Sequence, residues 1–354
     1  MKALIVDPYF DTLGGGERYV LSFARNLKEQ GYEVEIAWDN KDVLSKAEDR
    51  FGLKFPFTIN SRAHQLFSSK SSLIKRFLFT RQYDLIFWVS DGSLPFLFSN
   101  KNIVHFQVPF KKVSGNFIIN RLKMINISKL VYNSDFTRHF IENSLPKKKG
   151  FTLYPPIDTS SFKPGKKENI ILSVGRFDSP SHSKRQDILI KAFKQMQTKQ
   201  KDDYRLVIAG GLKGDHKIIK DLKKQAGKSN IDFKVNVSFK ELLELFSSAK
   251  IFWHAAGYGV NEMEHPDKME HFGMTTVEAM SAGLVPVVIN KGGQKETVTS
   301  ETGFLWDSID QMVKQTLDLI NSEKNRQVFS KKAQERSELF SLKSFATRIK
   351  ENVL

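Results

Sequence analysis

The sequence predicts an α/β protein with two Rossmann-like domains, whose parallel sheets face a central cleft. Three observations lead to this fold class. The chain has 354 residues, which is long for one hydrophobic core and comfortable for two. Short apolar runs alternate with helical patterns along both halves, as they do in βαβ units. The segment Tyr154–Asn169 is rich in Pro, Ser and Lys and is typical of a linker.

In the first half, Lys2–Asp7 is predicted to be a strand, and the glycines after it lead into a helix over about Glu17–Gln30. Apolar residues recur at the helical period between Val20 and Leu27, and Gly31 is placed to end the helix. Further strands are expected over Glu33–Trp38, Leu85–Val89, Asn102–Gln107 and Leu130–Asn133.

The same alternation resumes after the linker. Strands are expected over Ile170–Val174, Arg205–Ala209, Ile251–His254 and Val285–Ile289, and helices over Gln186–Gln197, Lys240–Ser248, Thr276–Ala282 and the tail Ile309–Leu354. Ligands of open α/β sheets bind at the carboxyl ends of the strands. We therefore expect the functional residues at those strand ends.

Composition and charge narrow the function classes. The chain has no cysteine, which excludes disulfides and thiolate chemistry, and no apolar run approaches the length of a transmembrane helix. The net charge is +16, and residues 51–150 carry +12 of it, from 16 basic and four acidic residues. Such a block suggests an anionic partner, although a solvated basic surface explains it equally well.

Two basic residues follow the first strand of the second half. In VGRFDSPSHSKRQDILI, Gly175 permits a tight turn, and Arg176 and Lys184 stand in the loop before a helix. A guanidinium and an ammonium together suit a diphosphate. A solvated basic loop is the alternative.

Two glutamates, Glu270 and Glu278, stand eight positions apart around a glycine turn in MEHFGMTTVEAM. Thr275 and Glu278 have the spacing of a capping box, which predicts a helix N-terminus near Thr275 with Glu278 in the first turn. Free amides there attract phosphate, Gly273 lets a ligand approach the backbone, and carboxylates accept hydrogen bonds from hydroxyls. The pattern predicts a nucleotide-sugar site, with a purely structural cap at Glu278 as the alternative.

Three further features are less specific. GGGER, Gly14–Arg18, is not the dinucleotide fingerprint, because Tyr19 stands where that motif requires glycine, yet it would let a phosphate or sugar come close. His105 ends an apolar strand and is either a polar group of the site or a structural histidine. No Asp-x-Asp or metal-ligand spacing occurs, so we expect no metal.

In this order the motifs resemble those of the family 4 glycosyltransferases, which have the GT-B fold. The resemblance runs through GGGERYVLSFARNL, VYNSDFTRHFI, YPPID, VGRFDSPSHSKRQDILIKAF, KVNVSFKELLELFSSAKIFWHAA and the E-x7-E motif from Glu270 to Glu278. It implies an N-terminal acceptor-binding domain over residues 1–160 and a C-terminal nucleotide-sugar-binding domain over 166–335. The last helix, 336–354, would cross back to the N-terminal domain.

The resemblance also implies roles for individual residues of the second half. Arg176 and Lys184 would contact the donor diphosphate, Glu278 would hold the ribose hydroxyls, and Glu270 would lie beside the donor sugar. Sugar and phosphate would be held by the backbone amides of the loop and first helical turn formed by Phe272, Gly273, Met274 and Thr275.

In the first half, Gly15 and Gly16 would approach the diphosphate, and His105 matches a histidine near the transferred sugar. Family members retain the anomeric configuration, need no metal or cofactor, and use a front-face mechanism. One departure is Tyr258–Lys268, which is longer than the link usual in the family and borders the donor site.

The function expected from these features is retaining transfer of a sugar from a UDP-, GDP- or dTDP-linked donor to a glycan or lipid-linked acceptor, in surface polysaccharide or glycoconjugate synthesis. The alternatives are a nucleotide-sugar epimerase, which would not depend on an acceptor, and a phosphorylase, which would need free phosphate. A nucleic-acid-binding protein is a third class, but no module with base-stacking aromatics is present, so nucleic acid is not an expected partner.

The stretch Phe110–Leu130 predicts the cellular location of the protein. Five basic residues are interleaved with apolar ones, and no acidic residue interrupts them. Such a segment suits an anionic membrane surface, which would place a cytoplasmic protein peripherally at the inner face of the membrane. The alternative is that these apolar residues form the ordinary core face of a helix.

Overall fold

The strands of the chain are short apolar runs, and they assemble into two wholly parallel sheets. The computed structural model describes residues 1–52, 54–68, 71–145, 150–177, 184–199, 203–212, 214 and 216–354. The chain divides into two compact units. Unit 1 comprises Met1–Pro156 and Phe345–Leu354, and unit 2 comprises Ile157–Ser344.

Unit 1 is built on a seven-stranded sheet of order β3-β2-β1-β4-β5-β6-β7. Its strands are β1 Lys2–Val6, β2 Glu33–Ile36, β3 Thr58–Ile59, β4 Leu85–Val89, β5 Lys101–Phe106, β6 Lys129–Tyr132 and β7 Gly150–Thr152. Its first six helices are α1 Gly15–Glu29, α2 Asp42–Phe51, α3 Ser61–Ser68, α4 Leu73–Thr80, α5 Phe117–Asn126 and α6 Asp135–Glu142.

Unit 2 is built on a six-stranded sheet of order β10-β9-β8-β11-β12-β13. Its strands are β8 Ile170–Val174, β9 Arg205–Gly210, β10 Ile231–Val235, β11 Ile251–His254, β12 Val285–Ile289 and β13 Phe304–Trp306. Its helices are α7 Gln186–Lys199, α8 Lys217–Ala226, α9 Phe239–Ser248, α10 Met274–Ser281, α11 Gln294–Thr297, α12 Ile309–Ile320 and α13 Glu323–Ser337. The last helix, α14, runs over Leu342–Asn352, and its residues Phe345 and Ile349 pack into the core of unit 1.

The central strands of each sheet are buried on both faces, which explains why they are continuously apolar, whereas β2, EVEI, and β10, IDFKV, include charged residues. All five residues of β12 are buried, and so are all four of β11. In α1, the periodic residues Val20, Phe23, Ala24 and Leu27 are buried as predicted, and Gly31 follows the helix with φ +87°. None of the helices in the described ranges is long and apolar enough to cross a membrane.

Both sheets share one order, in which the chain starts at an inner strand, winds to one edge and then returns to build the other side. In such sheets the strand ends diverge where the winding reverses, and that point is the preferred ligand site. The reversal lies between β1 and β4 in unit 1, and between β8 and β11 in unit 2.

Candidate active site

The candidate site of unit 2 lies at its reversal point. Gly175 and Arg176 follow β8 directly, and His254 is the last residue of the neighbouring β11. The strands are parallel, so these residues share the carboxyl edge of the sheet. This is the edge at which the sequence predicts the functional residues.

Three ionisable side chains meet there. The ammonium of Lys184 lies 2.7 Å from Oε2 of Glu270, and Nε2 of His254 lies 3.0 Å from the same oxygen. Burial alone would raise the pKa of Glu270, but Lys184 and His254 outweigh it and hold that pKa well below its usual value. Glu270 is therefore an anion at neutral pH.

His254 was not singled out from the sequence, although it ends a predicted strand. Burial lowers its pKa, and Lys184 lowers it further, while the hydrogen bond to Glu270 acts in the opposite direction. A neutral imidazole must then donate from Nε2, which leaves Nδ1 as an acceptor. Within the described residues Nδ1 has no hydrogen-bond partner.

The two oxygens of Glu270 differ in their surroundings. The carboxylate accepts two hydrogen bonds from the described residues, one from Lys184 and one from His254, and both end on Oε2. A carboxylate oxygen can accept two such bonds, so Oε2 is saturated in a fixed position. Oε1 accepts none in the described part of the chain, which makes it the oxygen available to a ligand hydroxyl.

Close backbone packing positions Lys184. A Cβ added to Gly175 would lie 2.9 Å from Cγ of Lys184, so the lysine stem runs directly over this glycine. A Cβ on Gly210, at the end of β9, would lie 1.9 Å from the carbonyl oxygen of Gly175. Glycine is needed at both positions for the lysine to lie this close to the strand ends.

The neighbouring Arg185 has a different environment. It has φ +54°, and its guanidinium binds both carboxylate oxygens of Asp187, at 3.0 and 2.9 Å. Its remaining nitrogen donates to the carbonyl oxygen of Tyr258. Lys184, rather than Arg185, thus faces Glu270.

The loop before α10 is held by a second pair of glycines. The amide of Gly293 donates to the carbonyl oxygen of Glu270 at 2.8 Å. A Cβ on Gly293 would lie 2.2 Å from the carbonyl oxygen of His271, and one on Gly292 would lie 2.3 Å from that of Glu270. This contact fixes the backbone that carries the Glu270 side chain.

The predicted capping box is wrong. The N-cap of α10 is Gly273, with φ +100°, and no side chain caps the helix. The left-handed conformation starts the helix at Met274, so Glu278 lies beyond the first turn, where it cannot reach back as a cap residue. Gly273 is also closely packed, because its Cβ would lie 2.9 Å from Nε2 of Gln294.

The remaining predicted residues of this unit lie on the same elements. Phe272 is buried and makes an edge-to-face contact with Phe340, while Met274 and Thr275 are half-buried in the first turn of α10. Glu278 is buried on the same helix, 5% exposed. Arg176 is exposed and its carbonyl oxygen accepts from Gln186 at 3.0 Å. The intervening part of that motif, residues 178–183, lies outside the described residues.

The long segment Tyr258–Lys268 is bonded to the glycine pair. Glu262 accepts from the amide of Gly292 at 2.8 Å and pairs with Lys295 at 2.7 Å. Lys291 donates to the carbonyl oxygen of Gly257 at 3.3 Å. The segment therefore supports the backbone on which Glu270 is carried.

In unit 1 the predicted glycines begin α1. Gly14 is the N-cap, Gly15 is the first helical residue, and the Glu17 side chain accepts from the Gly14 amide. A Cβ on Gly16 would lie 2.2 Å from Oε1 of Gln107, just beyond β5. This packing is itself a reason for glycine at position 16.

His105 lies in the core of unit 1. Its ring stacks on Tyr19 at 4.3 Å and on Phe87 at 5.3 Å, and its Nδ1 lies 3.1 Å from the carbonyl oxygen of Val131. Burial lowers its pKa to about 3, so the ring is neutral. These contacts favour the structural interpretation, and a role at the transferred sugar stays a prediction.

Asp7, directly after β1, is a further buried group in unit 1. Its Oδ1 accepts from the amide of Tyr9 at 2.9 Å, while Oδ2 has no partner among the described residues. Burial, with a contribution from Glu17, raises the pKa of Asp7 to about 7. Its position after a strand was the available sequence signal.

Comparison with known proteins identifies relatives of both halves. The family model described as "Glycosyl transferases group 1" matches residues 156–336, and that described as "Glycosyltransferase Family 4" matches residues 13–161. An α-1,2-mannosyltransferase of Dictyostelium discoideum, named for GDP-Man and Man(3)GlcNAc(2)-PP-Dol, is 26% identical over 75% of this chain and 55% of its own. An α-1,3/1,6-mannosyltransferase of Candida glabrata is 24% identical over 81% of this chain and 76% of its own.

The chain spans about half the length of the α-1,2-mannosyltransferases it matches. Among solved structures, a glycosyltransferase of Rickettsia africae superposes with a TM-score of 0.77 at 17% identity, covering 99% of this chain and 97% of its own. HepE of Anabaena, in complex with UDP and glucose, gives a TM-score of 0.71 at 17% identity, over 100% and 99% of the two chains. The predicted α/β fold of GT-B type is thereby confirmed. The chain belongs to the group 1 glycosyl transferases of glycosyltransferase family 4.

Proposed function

We propose that this protein is a retaining glycosyltransferase that moves a sugar from a nucleotide-sugar donor to a lipid-linked or glycan acceptor. In this proposal the second domain, residues 166–335, binds the donor, and the first domain, residues 1–160, binds the acceptor. The tail 336–354 would return to the first domain. It is not one helix, because α13 runs to Ser337 and α14 begins at Leu342, and only Phe345–Leu354 fall in unit 1. The observation that carries the proposal is the ionised Glu270, held by Lys184 and His254 at the reversal point of the unit 2 sheet.

The roles of the donor-site residues follow from that geometry. Oε1 of Glu270 would accept a hydroxyl of the donor sugar, because Oε2 is already occupied. Lys184 would lie between this carboxylate and the diphosphate, and Arg176 would add a second cation. The buried Glu278 would hold the ribose hydroxyls.

Backbone groups complete the proposed donor site. The amides of Met274 and Thr275 lie in the first turn of α10, where no preceding helical carbonyl is available to them. These amides and the helix dipole favour a phosphate oxygen. As the leaving diphosphate gains charge during transfer, the same amides, Arg176 and Lys184 would stabilise it.

His254 would act as a positioning residue. Its Nε2 fixes one oxygen of Glu270, and its low pKa keeps the ring neutral, so that it adds no positive charge beside Lys184. The carboxylate thus keeps its charge and its orientation towards the sugar.

The names of the mannosyltransferase relatives make GDP-mannose the first donor to test, followed by UDP- and dTDP-sugars. A lipid diphosphate carrying a short oligosaccharide is the first acceptor to test. With such an acceptor, the protein would work in the cytoplasm, at the inner face of a membrane that presents the lipid.

The test has two stages. A thermal-shift screen of nucleotide sugars should show stabilisation by one nucleotide class, and mass spectrometry should then detect transfer that depends on the acceptor. Turnover of the donor without an acceptor would indicate an epimerase, and turnover that needs inorganic phosphate would indicate a phosphorylase. If none of the nucleotide sugars stabilises the protein, the donor-site assignment is wrong.

A further inference from the structure

Large apolar side chains are concentrated on the surface of two helices of unit 1. Of the fifteen large hydrophobic residues that are exposed among those described, nine lie on α4 and α5. On α4 they are Leu73, Ile74, Phe77 and Leu78. On α5 they are Phe117, Ile118, Ile119, Leu122 and Ile125.

The outward orientation of α5 is fixed by its polar side. Asn120 is 3% exposed and donates to the carbonyl oxygen of Ser114 at 3.1 Å, and Met124 packs into the core. On the opposite side of the helix, Ile118 and Ile125 are 70% and 72% exposed. The helix therefore buries an amide and presents isoleucines to solvent, the reverse of an ordinary surface helix.

The two helices border one surface. Phe98 contacts Phe77 of α4 at 5.2 Å, and Phe96, two residues earlier, lies 5.3 Å from the ammonium of Lys123 of α5. Arg76 of α4 is close enough to Lys123 to help lower its pKa, after the larger effect of burial. We call the exposed apolar side chains of both helices the α4–α5 face.

The charge around this face is mainly positive, although Asp91 is close enough to Lys123 to act on its pKa in the opposite direction to burial and Arg76. Neither α4 nor α5 contains an acidic residue, and basic residues stand both on the helices and beside them. Lys75 and Arg121 are exposed, and so are Lys111 and Lys112, which precede α5.

We propose that the α4–α5 face docks on an anionic lipid bilayer, with its apolar side chains in the interfacial region and its basic rim at the headgroups. Apolar side chains beside Lys and Arg, without acidic residues, are the composition of interfacial helices. A bilayer surface takes up exposed isoleucine, leucine and phenylalanine and attracts the basic rim at the same time.

This inference goes beyond the proposed transfer reaction, because neither donor nor acceptor takes part in the contact. It extends the sequence prediction for 110–130, whose alternative was a buried apolar face. The structure buries Met124 and Ile127 but leaves five apolar residues of α5 exposed, and it adds α4, which that prediction did not include.

The test is flotation of the full chain with vesicles of phosphatidylglycerol and phosphatidylcholine, and with phosphatidylcholine alone, at low and high salt. We expect salt-sensitive binding to the anionic vesicles. Each basic side chain near such a surface contributes roughly fivefold to partitioning, so Lys75→Glu with Arg121→Glu should weaken binding by at least about 25-fold. The matched control is Lys220→Glu with Lys224→Glu on α8, an equal charge change on another exposed helix, which should alter binding by no more than about twofold.

A second pair of variants tests insertion. Ile118→Asn with Ile125→Asn should weaken binding by about tenfold or more, whereas Val328→Asn, which is exposed on α13, should not. All these side chains are exposed, so unchanged melting temperatures are expected and verify folding.

Three results would overturn the proposal. One is a wild-type protein that stays unbound at low salt. Another is binding that is insensitive to the isoleucine substitutions, since the contact would then be electrostatic only. The third is a wild-type protein that does not bind vesicles but forms a dimer, which the isoleucine substitutions convert to a monomer. The face would then join two copies of the chain. Because flotation needs no donor, each of these results leaves the proposed transfer reaction standing.

Discussion

Glu270→Gln should tighten the binding of a nucleoside diphosphate and weaken, relative to it, the binding of the corresponding nucleotide sugar. In the structure Lys184 is paired with Glu270 at 2.7 Å, so its charge is already partly compensated before a diphosphate arrives. A phosphate oxygen bonded to the same ammonium would lie about 5–6 Å from the carboxylate. At an effective dielectric constant of about 20, two unit charges at that distance repel by about 3 kcal/mol, and solvent around the partly exposed pair reduces this value. Removing the carboxylate charge should therefore tighten binding of the nucleoside diphosphate by about tenfold or more.

The sugar contact is lost in the same variant. A hydrogen bond to a charged group is worth about 1.5–3 kcal/mol, so the affinity for the nucleotide sugar, taken relative to that for the nucleoside diphosphate, should fall by about 10- to 150-fold. The reciprocal variant, Lys184→Met, should weaken both ligands, since it removes the cation rather than its partner.

Isothermal titration calorimetry of both ligands on the wild type and the two variants measures these ratios. Glu168→Gln is a suitable control, because that carboxylate is also ion-paired, to Arg205 at 3.1 Å, but is exposed. If Glu270→Gln weakens the nucleoside diphosphate and the nucleotide sugar equally, Glu270 shapes the site without contacting the sugar, and the reasoning from Lys184 fails.

Three further outcomes are expected. Asp7→Asn should raise the melting temperature at pH 7.5 but not at pH 4. Burial raises the pKa of Asp7 to about 7, whereas the same carboxyl is fully ionised in the unfolded chain at pH 7.5, so its burial costs the folded state about 4 kcal/mol at that pH. Burial lowers the pKa of His105 to about 3, so protonation favours the unfolded chain, and the free energy of unfolding should fall below pH 6.5, by about 2 kcal/mol at pH 5. Urea unfolding should show a smaller fall for His105→Gln than for the wild type, and an equal fall would contradict this. Gly293→Ala should lower both the melting temperature and the donor affinity, because the added Cβ would meet the carbonyl oxygen of His271. Gly211→Ala is the control and should melt like the wild type, because its Cβ would meet nothing closer than 3.8 Å. Similar melting temperatures for the two variants would refute the packing argument.

The architecture could be predicted because parallel strands are buried on both faces. Runs such as Val285–Ile289 and Ile251–His254 are apolar apart from the final His254, and the structure places strands with those bounds. Boundaries near turns were less accurate. The strand expected over Glu33–Trp38 ends at Ile36, and α1 starts at Gly15, two residues before the predicted start.

The start of α10 shows why local patterns mislead at a site. The Thr-x-x-Glu spacing at Thr275 and Glu278 satisfies the capping rule, yet the N-cap lies two residues earlier, at Gly273 in the left-handed conformation. That conformation is imposed by the loop packed against Gly292 and Gly293, which a local pattern does not register. No side chain caps α10, and although the amide of Thr276 donates to the carbonyl oxygen of Gly273 at 3.0 Å, the start of the helix favours an external anion.

The charge network could not be predicted for a different reason. Lys184 and Glu270 are 86 residues apart, and His254 joins them from the end of another strand. The sequence supplied two of these three residues through motifs, but not the oxygen of Glu270 to which Lys184 and His254 bind. That detail matters for the proposed chemistry, because both bind Oε2 and Oε1 is then the oxygen proposed to bind the ligand.

The long segment Tyr258–Lys268 contacts both the loop that holds Glu270 and the residue next to Lys184. Its Glu262 binds the amide of Gly292, Gly293 holds the carbonyl oxygen of Glu270, and Arg185, next to Lys184, reaches Tyr258. One insertion thus touches the backbone on both sides of the Lys184–Glu270 pair. A substitution in it should therefore shift Glu270 and Lys184 together, which in the proposed site face the donor sugar and the diphosphate, without contacting either ligand. Donor preference in this chain is therefore expected to depend on Glu262 as well as on the residues that bind the donor.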